Sequence, residues 1–306
     1  GDRSARFQLA SGVQLYGGFS GNEFLLEERQ PGSHPSILNG DIGVPGDSLD
    51  NAYTILYMLN PTAGTVLDGF TFRDALANDN TALAGAPGAS GAALYIMAMN
   101  GQAYPDIRNC VFERNTAKSH GGAVYINGAG TGSVAPVFEH CLFSGNRSTT
   151  ANGGAIYRSG GSWLERPNDI LDCTFERNYA KRIGGAIYLA DSERSDTIQI
   201  NHCNFNNNKS DLNTDAVSIG RLRTARSHLY VRNCHFEGHH WNGVLQMDQP
   251  LSGGNLDLKV DSCVFFKNDQ HSGMAGGSLI YITSISGASY LTVTNCSIDS
   301  CDINAF

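Results

Sequence analysis

Two phrases decide the fold: Cys110-Val111-Phe112-Glu113-Arg114-Asn115, and a few residues later Gly121-Gly122-Ala123-Val124-Tyr125. The first returns as Cys141-Leu142-Phe143-Ser144-Gly145-Asn146, Cys173-Thr174-Phe175-Glu176-Arg177-Asn178 and Cys203-Asn204-Phe205-Asn206-Asn207-Asn208. Looser copies follow Cys234 (Phe236, His239), Cys263 (Phe265, Asn268) and Cys296 (Ile298, Cys301). The second returns as Gly153-Gly154-Ala155-Ile156-Tyr157 and Gly184-Gly185-Ala186-Ile187-Tyr188, with looser versions at Gly91-Ala92-Ala93-Leu94-Tyr95 and Gly276-Gly277-Ser278-Leu279-Ile280. Successive cysteines lie 29 to 33 residues apart. Such a period marks a stacked repeat.

Apolar residues stand three positions before each cysteine: Ile107, Phe138, Ile170, Ile200, Val231, Val260 and Val293. Residues five before it, such as Ile198, Leu229, Leu258 and Leu291, extend a period-two strand signature. An offset of three would place this residue and the cysteine on opposite faces of a straight strand. Both are apolar, so a bend is expected between them, at pairs such as Arg108-Asn109, Asn201-His202, Arg232-Asn233 and Thr294-Asn295. Recurring Gly-Gly, Asn and β-branched residues disfavour helix throughout. Three short strands per period describe an all-β, right-handed parallel β-helix of about nine or ten coils of roughly 31 residues. Residues 1–67 read as N-terminal coils with longer loops and 68–306 as the regular array, together one continuous domain.

Composition narrows the function classes. The chain has 306 residues, 36 glycines, 8 cysteines, 16% charged residues and a net charge of −8. With 41% hydrophobic residues and no Gly-X-Y period, collagen and disorder are excluded. The acidic balance offers no basic patch for nucleic acid, and no apolar run reaches the length of a membrane helix. The sequence starts without Met and in mid-pattern, and its last copy of the cysteine phrase runs close to the final residue. The expectation is a piece of a longer chain, or a rod that stacks end to end on further copies of itself.

The GG-A-[IV]-Y and F-x-x-N phrases resemble the repeats of chlamydial-type polymorphic outer membrane proteins. The opening Gly12-Val13-Gln14-Leu15-Tyr16-Gly17-Gly18-Phe19, with Ile37-Leu38-Asn39-Gly40-Asp41 and Val66-Leu67-Asp68-Gly69-Phe70-Thr71-Phe72, is similar to the start of parallel β-helix domains in surface-attached proteins of Bacteroidetes. Together these motifs cover nearly the whole chain. The resemblance implies a secreted or cell-surface location and an adhesin-like or surface-layer role; the family's repeats are structural and say little about activity.

The candidate site residues divide into ladders and exceptions. Cys110, Cys141, Cys173, Cys203, Cys234, Cys263 and Cys296 read as one core column, because neighbouring coils about 4.8 Å apart set Cβ atoms too far apart for a disulfide and metal spacing is missing. No metal or cofactor is implied. Phe112, Phe143, Phe175, Phe205, Phe236 and Phe265 read as stacked core, and Asn115, Asn146, Asn178, Asn208 and Asn268 as an amide ladder. Tyr125, Tyr157 and Tyr188 are ambiguous: if Val124, Ile156 and Ile187 point inward, the tyrosines form an exposed strip suited to sugar rings.

His239, His240 and Trp241, beside His235, form the densest unusual cluster, and Trp163 sits in a loop; these are candidate binding residues. Asn213-Thr214-Asp215 resembles an acidic motif of β-helix polysaccharide hydrolases, but the register puts Thr214-Asp215 on the Gly-Gly positions and no second carboxylate pair follows. Neither a phosphate loop nor a G-x-S-x-G elbow occurs. The favoured function is therefore a non-enzymatic structural or adhesin-like rod contacting glycans, surface proteins or itself. The alternative is a polysaccharide lyase or hydrolase.

Overall fold

The structure is a computed structural model describing residues 1–128, 132–160, 168–190, 196–220, 227–240, 242–248, 256–268, 279–283 and 288–301. It is a right-handed parallel β-solenoid. Among the described residues three sheets each carry nine strands. The first runs from Phe7–Leu9 to Ile280–Thr283 and holds the Gly-Gly-Ala-aliphatic-Tyr phrases. The second runs from Gln14–Tyr16 to Ser289–Thr294 and holds the strands before the cysteines, while the third runs from Ser36–Asn39 to Ser297–Asp299 and holds Cys-x-Phe. Two-residue strands such as Thr116–Ala117 and Tyr179–Ala180 add a narrow fourth sheet of five strands.

The coil count corrects the expectation of nine or ten turns at one period. Seven turns, from Asp106–Arg108 onward in the second sheet, keep a spacing of about 31 residues. The two coils before them are longer, because Gln14 pairs with Val66 and Val66 with Asp106, and the excess leaves as loops.

The expected bend is a single residue in the left-handed region directly before each cysteine: Asn109, His140, Asp172, His202, Asn233, Ser262 and Asn295, with φ of 49–55°. It reverses the pleat phase, so the residue three before the cysteine and the cysteine itself both point inward. A second left-handed corner falls directly before each ladder asparagine, at Arg114, Gly145, Arg177, Asn207 and Lys267, and at Gly238 before His239, which holds the same position. A third takes the first glycine of the pairs at Gly121, Gly153 and Gly184, with φ of 62–71°. The partner of Gly184, Gly185, lies so close to the next coil that a Cβ there would meet the Asp215 carbonyl oxygen at 2.3 Å. Both glycines of the pair are thus demanded by backbone geometry.

Inside the rod the columns are continuous. Rings from Phe72 to Phe265 stack with centroids 4.7–5.2 Å apart and planes within 10°. Offset ring stacks of this kind add to area burial. All eight cysteines are free thiols; Cys110 to Cys263 are buried and Cys296 and Cys301 are partly exposed. Burial pushes the Cys110 and Cys173 thiols well above their ordinary pKa, so they are poor nucleophiles.

The asparagine column makes the same bonds at Asn115, Asn146 and Asn178. Asn146 Nδ2 donates to the Phe112 carbonyl at 2.8 Å and to Asn178 Oδ1 at 3.0 Å, and its backbone N–H donates to that same oxygen at 3.0 Å. Asn178 repeats this toward Phe143 and Asn208 at 2.9–3.1 Å.

One residue breaks an apolar column. Arg158 stands where neighbouring coils place Ile126 and Leu189, and is only 2% exposed. It borders a cavity of about 20 Å³ with Ile126, Phe138 and Ile198.

Candidate functional site

Val124, Ile156 and Ile187 face the core, which turns the tyrosines outward, yet the expectation of an exposed tyrosine strip is corrected by what lies over them. Tyr57, Tyr95, Tyr125, Tyr157 and Tyr188 stack with centroids 5.1–5.6 Å apart. Tyr125 and Tyr157 are only 6% and 8% exposed, while Tyr188 is half-buried. The long loop after the strand Leu76–Ala77 folds back as a roof, where the Gly85 carbonyl accepts from Tyr95 Oη at 2.6 Å. His120 closes another stretch, its ring centroid 4.1 Å from that of Tyr157. The Asn152 N–H donates to His120 Nδ1 at 3.4 Å, and burial holds the imidazole pKa down at about 4, so the ring is neutral. The strip is a second small core, with no open face along Tyr95, Tyr125 and Tyr157 for a sugar ring.

The histidine cluster separates. His239 is fully buried and takes the asparagine-column position, its Nδ1 donating to Asn268 Oδ1 at 3.0 Å. Burial lowers its pKa, although Asp215 opposes the shift. His240 is exposed, and Trp241 and Trp163 lie outside the described residues. His239 and His240 therefore do not converge on one open site.

Asp215, the acid of Asn213-Thr214-Asp215, is also buried. Its Oδ1 accepts from the Ser210 N–H at 2.7 Å and its Oδ2 from the Asn242 N–H at 3.1 Å. Thr214 Oγ1 donates to Gln246 Oε1. A carboxylate enclosed this way has no access to a polymer chain. Its role is to tie its own corner to Asn242 and Gly243 of the following coil.

A well-formed concavity lies elsewhere, along the corner before the cysteines in the first coils. It is a cleft of about 410 Å³. One side is the loop bearing Leu26, Glu27, Arg29 and Pro31; the other is the rod surface at Phe70, Thr71, Asn109, Val111 and His140.

The loop wall is fixed by a nearly buried ion pair. Arg29 Nη2 meets Asp68 Oδ2 at 2.5 Å, with side chains 12% and 6% exposed, and Asn109 Nδ2 donates to Asp68 Oδ1 at 2.8 Å. Arg29 also donates to the Gly17 carbonyl at 3.1 Å and lies over the Tyr16 ring at 5.1 Å. Gly69 permits this approach, since a Cβ there would meet Arg29 Nη1 at 2.8 Å.

Sequence reasoning missed the cleft because the segment 20–36 reads only as one of the longer Gly/Pro/Asn/Asp-rich loops between the first strands. The available signal was Gly69, a glycine at the corner position directly before Phe70, which replaces the cysteine.

No curated protein and no solved structure matches the chain. Residues 80–220 match a family model described as a right handed beta helix region, so the stretch carrying the cleanest repeats is similar to that family, in agreement with the solenoid seen here.

Proposed function

We propose that this chain is a non-catalytic, secreted or cell-surface β-helical scaffold, adhesin-like in use, that presents its loops and flanks to glycans or surface proteins. The observation that carries this reading is how the chemically capable side chains are used. The cysteines, the asparagine column, the roofed tyrosines, Asp215 and His239 are all spent on the rod's own packing. Among the described residues the chemistry left facing solvent lies on loops, corners and the outer faces of strands, as with Arg147, His235 and Lys259. A repeating backbone with every column filled resists bending and collapse, which suits a spacer or display role.

The test is to immobilise the chain and pass it over arrays of glycans and extracellular matrix proteins, while incubating it with pectin, alginate and neutral polysaccharides. Saturable binding without release of shorter products supports the proposal. Release of reducing ends or unsaturated products overturns it in favour of a polysaccharide-active enzyme.

A further inference from the structure

We propose that the cleft between the Arg29 loop and the rod binds a neutral sugar residue of a larger glycan. This rests on the display reading and gives it a site and a ligand class.

The cleft is large enough, since small-molecule sites commonly span about 300–1,000 Å³, and this one holds about 410 Å³. It is also preformed. The Arg29–Asp68 pair, the Arg29 contact with Tyr16 and the glycine at position 69 fix the loop wall without any ligand. A rigid wall removes the ordering cost that a mobile loop would charge against affinity.

The lining mixes the two surfaces that a pyranose ring presents. Leu26, Phe70 and Val111 offer apolar area for the ring's C–H face. Glu27, Thr71 and His140 bring polar groups to the same cleft. Asn109 spends its Nδ2 on Asp68, which leaves Oδ1 as its group for a ligand hydroxyl. Acceptors such as the Glu27 carboxylate and Asn109 Oδ1 suit sugar hydroxyls, which donate.

Charge narrows the class. Arg29 is already neutralised by Asp68, so it is not a counter-ion for an anionic ligand. Glu27 is exposed on the rim and repels a carboxylate. Uronate chains, the usual reason to place arginine in a polysaccharide groove, are thus disfavoured and neutral hexose units favoured.

The experiment titrates the full chain with neutral oligosaccharides (gluco-, manno-, galacto- and N-acetylglucosamine series) and with uronate oligomers, by calorimetry and ligand-observed NMR. The expected result is saturable binding of a neutral oligosaccharide and at least tenfold weaker binding of its uronate counterpart. Glu27→Gln and His140→Asn should each weaken the neutral ligand severalfold, and Val111→Trp should abolish binding by filling the cleft. Glu27 and His140 are exposed, and asparagine tolerates the left-handed backbone at position 140, so these two variants should keep the fold.

Preference for uronates, or neutral-sugar affinity unchanged in all three folded variants, overturns the cleft as the site. In that second case, or when the arrays find only a protein ligand, the display reading survives. Cleavage of any polysaccharide by the parent chain overturns that reading instead.

Discussion

The coils around Asn146 and Asn178 and the coil around His239 solve the same corner differently. In the first region every rung repeats: an asparagine bonds its neighbour and a carbonyl, and a Gly-Gly pair passes against the next coil without a Cβ. In the second, Thr214 and Asp215 occupy the Gly-Gly positions and a histidine occupies the asparagine position. The coil between Cys234 and Cys263 is the shortest, at 29 residues. There Asp215 meets Asn242 and Gly243 of the following coil, with the Asp215 N–H donating to the Gly243 carbonyl at 2.7 Å and its carboxylate receiving the Asn242 N–H. Two side chains that the regular coils exclude are admitted, and a local polar cluster satisfies them. A solenoid can therefore vary a rung only by changing its neighbours together, since each rung shares backbone contacts with the next.

The sharpest break in the regular region is Asn178→Leu. It removes the partner of the Asn146 side chain and backbone N–H and leaves the Phe143 carbonyl without its donor. Each buried polar group left unpaired costs about 1–3 kcal/mol, and three are orphaned, so a loss of at least about 3 kcal/mol is expected. Denaturant midpoints of the purified variant and parent measure it. A loss below about 1 kcal/mol would mean the ladder is decorative.

The second effect uses pH and involves both regions. His120 has its pKa lowered to about 4 by burial, and His239 is lowered for the same reason. The unfolded chain takes up those protons near pH 6.5 and the folded chain only at lower pH, so the unfolded state binds more protons in between. Stability should be complete above about pH 6.5 and fall as pH drops toward 4. For His120 the loss is at most about 3 kcal/mol, at 1.36 kcal/mol per pKa unit. His120→Gln should flatten the slope of midpoint against pH in that window, and an unchanged slope would remove His120 from the explanation.

Gly185→Ala comes next. Its Cβ would press on the Asp215 and Lys209 carbonyl oxygens at 2.3 and 2.6 Å, with no flexible side chain to yield. Overpacking of this kind costs about 1–3 kcal/mol. The residue one coil later at the same position is already an aspartate, so Asp215→Ala should instead fail by orphaning the Ser210 and Asn242 donors. Thermal unfolding of the two variants distinguishes crowding from lost hydrogen bonds: only the second should improve with Asn or Ser at the position.

The features legible in the sequence were those set by period. Phe175 predicts Phe143 and Phe205 because one coil is one repeat, and the bend before Cys110 followed from two apolar residues an odd number apart. The second corner was not legible, since Arg114, Arg177 and Lys267 adopt positive φ without belonging to the residue types that signal it. The tyrosine strip failed for a different reason. Alternation left open which face Tyr125 takes, and nothing in it shows that the loop carrying Gly85 returns to cover that face. The cleft shares that cause, because Arg29 and Asp68 lie 39 residues apart in sequence and meet through a loop with no period of its own. Arg158 was not singled out by the repeat reading, and only the packing shows an arginine buried between Ile126 and Leu189.

His239→Asn is the smallest change and the one that most directly joins the two regions. An asparagine at this position would place its Oδ1 where Asn208 can donate, and its Nδ2 toward the Asn268 oxygen that His239 Nδ1 now uses. The backbone N–H of residue 239 already donates to that oxygen at 3.1 Å, as the asparagines do in the regular coils. Against the new bonds stands the volume of the lost imidazole, a small void in a buried corner. The two terms nearly cancel, so neutral-pH stability should change by less than about 1 kcal/mol. The acid side should respond more: without a buried imidazole to protonate, the variant's midpoint should fall less than the parent's as pH drops below about 6.5. Equal acid sensitivity would assign that window to His120 alone. A large loss at neutral pH would show that the histidine is required by the Asp215 cluster, and that this coil is a separately built corner of the rod.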